Sequence, residues 1–232
     1  MYAVGWATNT VVLTDKDFAS FQEMTLESVL ELFEQHREIY IATGIRSGAR
    51  VLDMKVVERR GRAIAARLSG AENPSVLPEN VQVLIRRPVA KMSLPEAFGY
   101  TVPVNLYSSP FYVKAAALTK HDLVATSSHV SCQWLGDNVR KLTGACSYVE
   151  KHWVKYAAKH PRLPLRNCII PGTDRDFDGI ITSRSGKVWL KVANLAELHM
   201  DSLVAMTVDA PGGVICDGAI VQAMVGSRAT VQ

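Results

Sequence analysis

Cysteine is scarce and scattered in this chain. Four occur in 232 residues, Cys132, Cys146, Cys168 and Cys216, and no two of them form a CxxC pair. Only His129 and Cys132 have ligand-like spacing, and no second close pair exists to complete a tetrahedral zinc site, so no metal is expected. No run of eighteen apolar residues exists, so no transmembrane helix and no membrane partner are expected. The opening stretch MYAVGWATNTVVLTDKDF lacks a basic start followed by a long apolar region. A secretory signal is therefore not expected, and reduced thiols in a cytoplasmic setting are. Repeats and low-complexity tracts are absent as well. What remains is globular in composition, with 48% hydrophobic and 21% charged residues. The length suits one domain with a sizeable core or two small ones.

Taken in order, Thr10 to Leu13 reads as a short apolar strand ending near Asp15. From Thr25 the period changes. Leu26, Val29, Leu30 and Phe33 fall at i, i+3, i+4 and i+7, with Glu27, Glu31, Glu34 and Gln35 on the other face. That is a helix packed on one side, with Thr25 as its N-cap. Residues 45–68 are the basic part of a chain of net charge +4. Arg46, Arg50, Lys55, Arg59, Arg60, Arg62 and Arg67 are opposed there only by Asp53 and Glu58. Such a cluster binds phosphate backbones by counterion release or forms the solvated face of a helix or hairpin. No aromatic residue interleaves with these arginines, which removes the single-strand stacking signature.

Residues 69–80 carry Gly, two Pro and two Asn without an apolar period and read as a linker. After it come short β-type runs, Val81 to Ile85, Tyr100 to Leu106, Phe111 to Leu118 and Leu123 to Thr126, separated by turn residues. These patterns predict an α+β protein. Residues 1–80 are expected to form a mainly helical domain with the basic segment, and residues 81–232 a compact antiparallel β domain, barrel or sandwich.

Near the C-terminus, Val214-Ile215-Cys216 runs apolar, Asp217-Gly218 supplies the pair of positive φ values that a tight hairpin needs, and Ala219 to Val225 is largely apolar again. Asp209-Ala210-Pro211-Gly212-Gly213 precedes it as a bend that a regular strand does not tolerate. This segment resembles the nucleophile segment of trypsin-like serine proteases, where Asp-Ser-Gly-Gly-Pro leads into two apolar residues and a hairpin. Upstream, Leu123-Val124-Ala125-Thr126-Ser127-Ser128-His129 resembles the strand that delivers the catalytic His in that family. The resemblance implies His129 as the base, Asp176 as the residue orienting it (Asp178 as the alternative), and position 210 as the nucleophile. It also implies a trypsin-like barrel, an oxyanion site at the N–H groups near Val208 and Ala210, no cofactor, and a polypeptide or viral polyprotein as substrate. Alanine stands at 210, and a methyl group cannot attack a carbonyl. The expectation is a serine-protease-like protein, viral in type and inactive as written. Its setting would be host cytoplasm or virion, and the terminal Gln232 is a residue that many viral polyprotein proteases leave behind.

Two other readings stand beside it. Cys132 heading a helix, with His199 as base, would be a papain-like arrangement. Alternatively the chain is a viral structural or capsid-type protein without catalysis, self-associating or contacting RNA or neighbouring subunits through residues 45–68.

Overall fold

Two strands of 22 residues organise the molecule. The computed structural model describes residues 3–17, 19–44, 47–97, 100–127, 168–169, 180–182, 187–211 and 213–226. In chain order these form β1 (Ala3–Trp6), β2 (Thr10–Thr14), β3 (Phe21–Thr25), α1 (Leu26–Glu34), β4 (Tyr40–Gly44), β5 (Ser47–Leu68), β6 (Ser75–Pro78), β7 (Gln82–Arg86), β8 (Pro88–Ala97) and β9 (Tyr100–Tyr107). Then follow β10 (Phe111–Lys114), a 3-10 turn at Ala115–Ala117, β11 (Leu123–Ser127), β12 (Cys168–Ile169), β13 (Ile180–Thr182), β14 (Lys187–Val208), β15 (Gly213–Cys216), β16 (Ala219–Gln222) and β17 (Met224–Val225).

Among the described residues the main sheet has 14 strands, with order β1-β14-β11-β7-β16-β15-β2-β4-β5-β6 along its path, and β5 and β14 also pair with each other. The path therefore returns on itself. A separate sheet joins β8, β9 and β12. Strands from either side of residue 80 pair directly: β1 and β5 with β14, and β2 with β15.

The expected helix at 26–34 is present. Thr25 caps it by accepting from the Ser28 N–H at 3.2 Å, and Leu26 and Val29 are fully buried. Its end is closed by His36 N–H to Phe33 C=O at 3.0 Å and Arg37 N–H to Leu32 C=O at 3.4 Å, with His36 in the left-handed region at φ 58°. Those two bonds are a Schellman cap.

A mainly helical N-terminal region is corrected by the structure. Apart from α1, residues 3–97 contribute β1 to β8, and the sheet they join does not form a trypsin-like barrel beyond a helical domain. The basic segment is the reason. Residues 47–68 form one strand that buries Ala49, Val51, Met54, Ala63, Ile64, Ala66 and Leu68 while Lys55, Arg60, Arg62 and Arg67 lie towards solvent. Its apolar partners lie about 140 residues away in β14, so local period alone does not expose them. The core gathers Trp6, Leu26, Ile41, Leu68, Leu77, Ile85, Leu123, Trp189 and Leu190, all essentially inaccessible. Each buried aliphatic side chain contributes about 1.5–3 kcal/mol. The Arg86 guanidinium lies 4.8 Å from the centre of the Trp189 ring.

Candidate functional site

The C-terminal hairpin forms as its residues specify. Asp217 and Gly218 take φ 43° and 73°, and β15 and β16 pair from Gly213↔Gln222 to Cys216↔Ala219. Two positive φ values at the centre match the twist of the flanking strands. A side chain at Gly213 would run into Ile220 and approach the Val221 carbonyl to 2.9 Å, so this position admits glycine alone without rearrangement.

Asp217 does more than turn the chain. Its carboxylate accepts from Asn9 Nδ2 at 2.7 Å, the Thr10 N–H at 2.8 Å, Thr10 Oγ1 at 3.2 Å and the Val76 N–H at 3.2 Å. Its own N–H donates to the Thr10 carbonyl at 2.9 Å, and Ser75 Oγ donates to its carbonyl at 2.7 Å. The turn thus fastens β2 and β6 to the hairpin. Burial pushes the carboxyl above its ordinary value, and the hydrogen bonds from Thr10, Val76 and Asn9 act in the opposite direction. Beside it, the Cys216 thiol is fully buried and pushed well above its ordinary value, by burial first and the Asp217 charge second. A thiol so placed stays protonated and is no nucleophile.

The bend before the hairpin is tied to the start of β5. The Asp209 N–H donates to the Arg50 carbonyl at 3.1 Å, and Asp209 Oδ1 accepts from the Arg50 N–H at 2.9 Å. Val208 is fully buried as the last residue of β14, and its carbonyl accepts from the Gly226 N–H at 2.9 Å. Ala210 is half-buried against the core and Pro211 is exposed. The structure therefore brings Val208 and Ala210 together at one bend. His129, Asp176, Asp178 and Cys132 lie outside the described residues. His199 is exposed on β14, opposite Arg62.

Four of the five described basic side chains of β5 lie beside an acid, and Arg67 is exposed without an ion pair among the described residues. Arg50 reaches Glu38 at 3.2 Å, Lys55 reaches Asp53 at 3.7 Å, Arg60 reaches Asp201 at 3.4 Å, and Arg62 reaches Glu79 at 2.8 Å and Glu197 at 4.0 Å. Exposed pairs of this kind add little stability, but they neutralise the field that a polyanion would need. Arg46 and the side chain of Arg59 lie outside the described residues.

Sequence reasoning missed the ribbon itself and a buried ion pair. β14 has no Gly or Pro in 22 residues, a signal of an unbroken element that the turn-like Asn194 and Asp201-Ser202 obscured. The ion pair joins Arg87 to Asp122, whose side chain is wholly inaccessible. A cleft of about 400 Å³ opens between the end of α1 and β5, lined by Phe33, His36, Arg37, Arg50, Val51 and Met54 among others. Among the described residues no group of three or more His, Cys, Asp or Glu side chains is placed to hold a metal ion. Nor is any helix among them long and apolar enough to cross a membrane.

No family model matches the chain, and no curated protein matches it. Among solved structures it is similar to the crystal structure of the G-1F mutant of the Ssp DnaB mini-intein variant M86. The identity is 9%, over 96% of this chain and 99% of that one, with a TM-score of 0.49. A likeness at that level identifies neither a family nor an activity.

Proposed function

We propose that this chain is a structural protein of the scaffold kind that holds neighbouring subunits and performs no catalysis. One observation carries the reading. β5 and β14 pair without a register break from Asn194↔Arg67 to Asp201↔Arg60, and seven of the nine residues 193–201 are exposed, with Leu198 at 38%. A sheet that leaves a strand this accessible on both faces offers a surface for another chain. The partner is protein rather than RNA, because four of the five described cations of β5 already face acids. We assign it to the cytoplasm, in keeping with the free, buried Cys216 thiol.

Light scattering across a concentration series tests the reading, alongside RNA titration at two salt concentrations. Mass rising above the monomer with little RNA affinity is expected. A monomer at every concentration, with salt-sensitive RNA binding that weakens on Arg60→Ala and Arg62→Ala, overturns it.

A second reading is the inactive serine-protease-like protein. The likeness of the Asp209–Pro211 bend and the Asp217-Gly218 hairpin to the nucleophile segment of trypsin-like proteases supports it. Ala210→Ser is then expected to cleave peptides ending in Val-Gln, and adding His129→Ala abolishes that cleavage. Absence of any cleavage by the Ala210→Ser variant removes this reading.

A further inference from the structure

We infer that the open edge of β14 is a homodimer interface, in which residues 195–201 pair antiparallel with the same residues of a second copy about a two-fold axis at Leu198. The inference rests on the subunit-binding reading and names its partner. On one side these residues pair with β5; on the other, no strand pairs with residues 193–201 among the described residues. β1 takes up the edge again only beyond them, where the Ala7 N–H donates to the Ser202 carbonyl at 2.7 Å. Unpaired N–H and C=O groups along an exposed strand are a template for another strand.

The side chains say which strand fits. Alternation places Ala196, Leu198 and Met200 on one face and Leu195, Glu197, His199 and Asp201 on the other. A two-fold at Leu198 sets Leu198 against Leu198 and Ala196 against Met200, so the first face is apolar throughout. On the second face it sets Glu197 against His199 twice, an acceptor against a donor, and leaves Leu195 against Asp201 at the ends. Moving the axis by one residue destroys this match. An axis at Glu197 opposes that carboxylate to itself, and an axis at His199 opposes Glu197 to Asp201. Like charges directly opposite are unfavourable, and opposite charges favourable. The existing Arg62 contact with Glu197 is long, at 4.0 Å, and exposed, so Glu197 remains available. Closed two-fold symmetry caps both edges at once and stops further growth.

Sedimentation velocity over a concentration series, with the intact chain, tests the register. His199→Glu faces Glu with Glu at two symmetric places and is expected to weaken the dimer about tenfold. Adding Glu197→His reverses the pair and restores it. Leu198→Cys is expected to give a disulfide-linked dimer on mild oxidation, because the two Cβ atoms approach to about 5 Å across such a pair. Circular dichroism confirms that the exposed substitutions leave the fold intact. If the protein self-associates but His199→Glu has no effect and Leu198→Cys does not cross-link, the inference fails while subunit binding stands. A monomer at every concentration refutes both.

Discussion

Removing the guanidinium of Arg87 leaves a carboxylate stranded inside the protein. Asp122 is inaccessible and receives Arg87 Nε and Nη2, each at 2.8 Å, and the Thr119 N–H at 2.8 Å. Its backbone is bonded as fully as its side chain, donating to the Thr119 carbonyl at 3.2 Å and accepting from the Val192 N–H of β14 at 2.8 Å. Arg87 in turn donates to the Ala117 carbonyl at 3.0 Å, so the pair pins the 3-10 turn to β14. Bonding to Asp122 raises the Arg87 value further, which keeps the cation in place at any ordinary pH. Arg87→Met removes two of the three donors and leaves the charge buried. Breaking a buried pair in this way costs about 3–5 kcal/mol. The arginine side chain is 37% exposed, so water reaches part of the gap and the lower end of that range, about 3 kcal/mol, is expected. Against a total stability of about 5–15 kcal/mol, that is a large share. Urea unfolding reads it as a shift of the midpoint at unchanged slope. Asp122→Asn, which keeps an acceptor for Thr119 without a charge, is the second arm of a double-mutant cycle. On that background Arg87→Met costs much less, and the difference is the coupling. An Arg87→Met variant less than about 1 kcal/mol below the parent, or a cycle without coupling, refutes the reasoning.

Three further outcomes follow from the same structure. His36→Gly at the Schellman cap is expected to stabilise the protein by about 0.5–1 kcal/mol, because glycine takes a positive φ without the Cβ clash; thermal unfolding checks it, and a lower midpoint contradicts it. The Cys216 thiol is expected to resist thiol reagents in the native protein and react only after denaturant is added, which mass spectrometry of the labelled peptide reads directly. Asp217 has its folded value raised above the ordinary 3.8, so the native state holds its proton more tightly than the unfolded chain. Its contribution is full below that value and is lost as pH rises through the folded value. Asp217→Asn is therefore expected to lose less stability than the parent between acid and neutral pH, whatever its absolute stability, and equal slopes count against it.

What the sequence made legible was local. The helix from Leu26 and its Thr25 cap, the Asp217-Gly218 turn and the bend at Asp209 each depend on a few neighbouring residues, and each forms where those residues place it. The ribbon was not legible, because a strand is specified by what it lies against. Alternation in residues 47–68 is blurred where Ala63 and Ile64 are both buried next to exposed Arg62, and where β6 covers one flank at Ala63↔Pro78. The same blurring bears on function. Arginines at Arg60 and Arg62 look like a basic stripe until Asp201, Glu79 and Glu197, up to about 140 residues distant, are brought beside them. Charge that is isolated along the chain but matched across a sheet suits a surface that meets another protein edge, where acids and bases alternate, better than one that meets a uniform polyanion. The pairing that sets Arg60 and Arg62 beside acids also leaves Leu198 exposed, where no strand other than β5 pairs with residues 193–201 among the described residues.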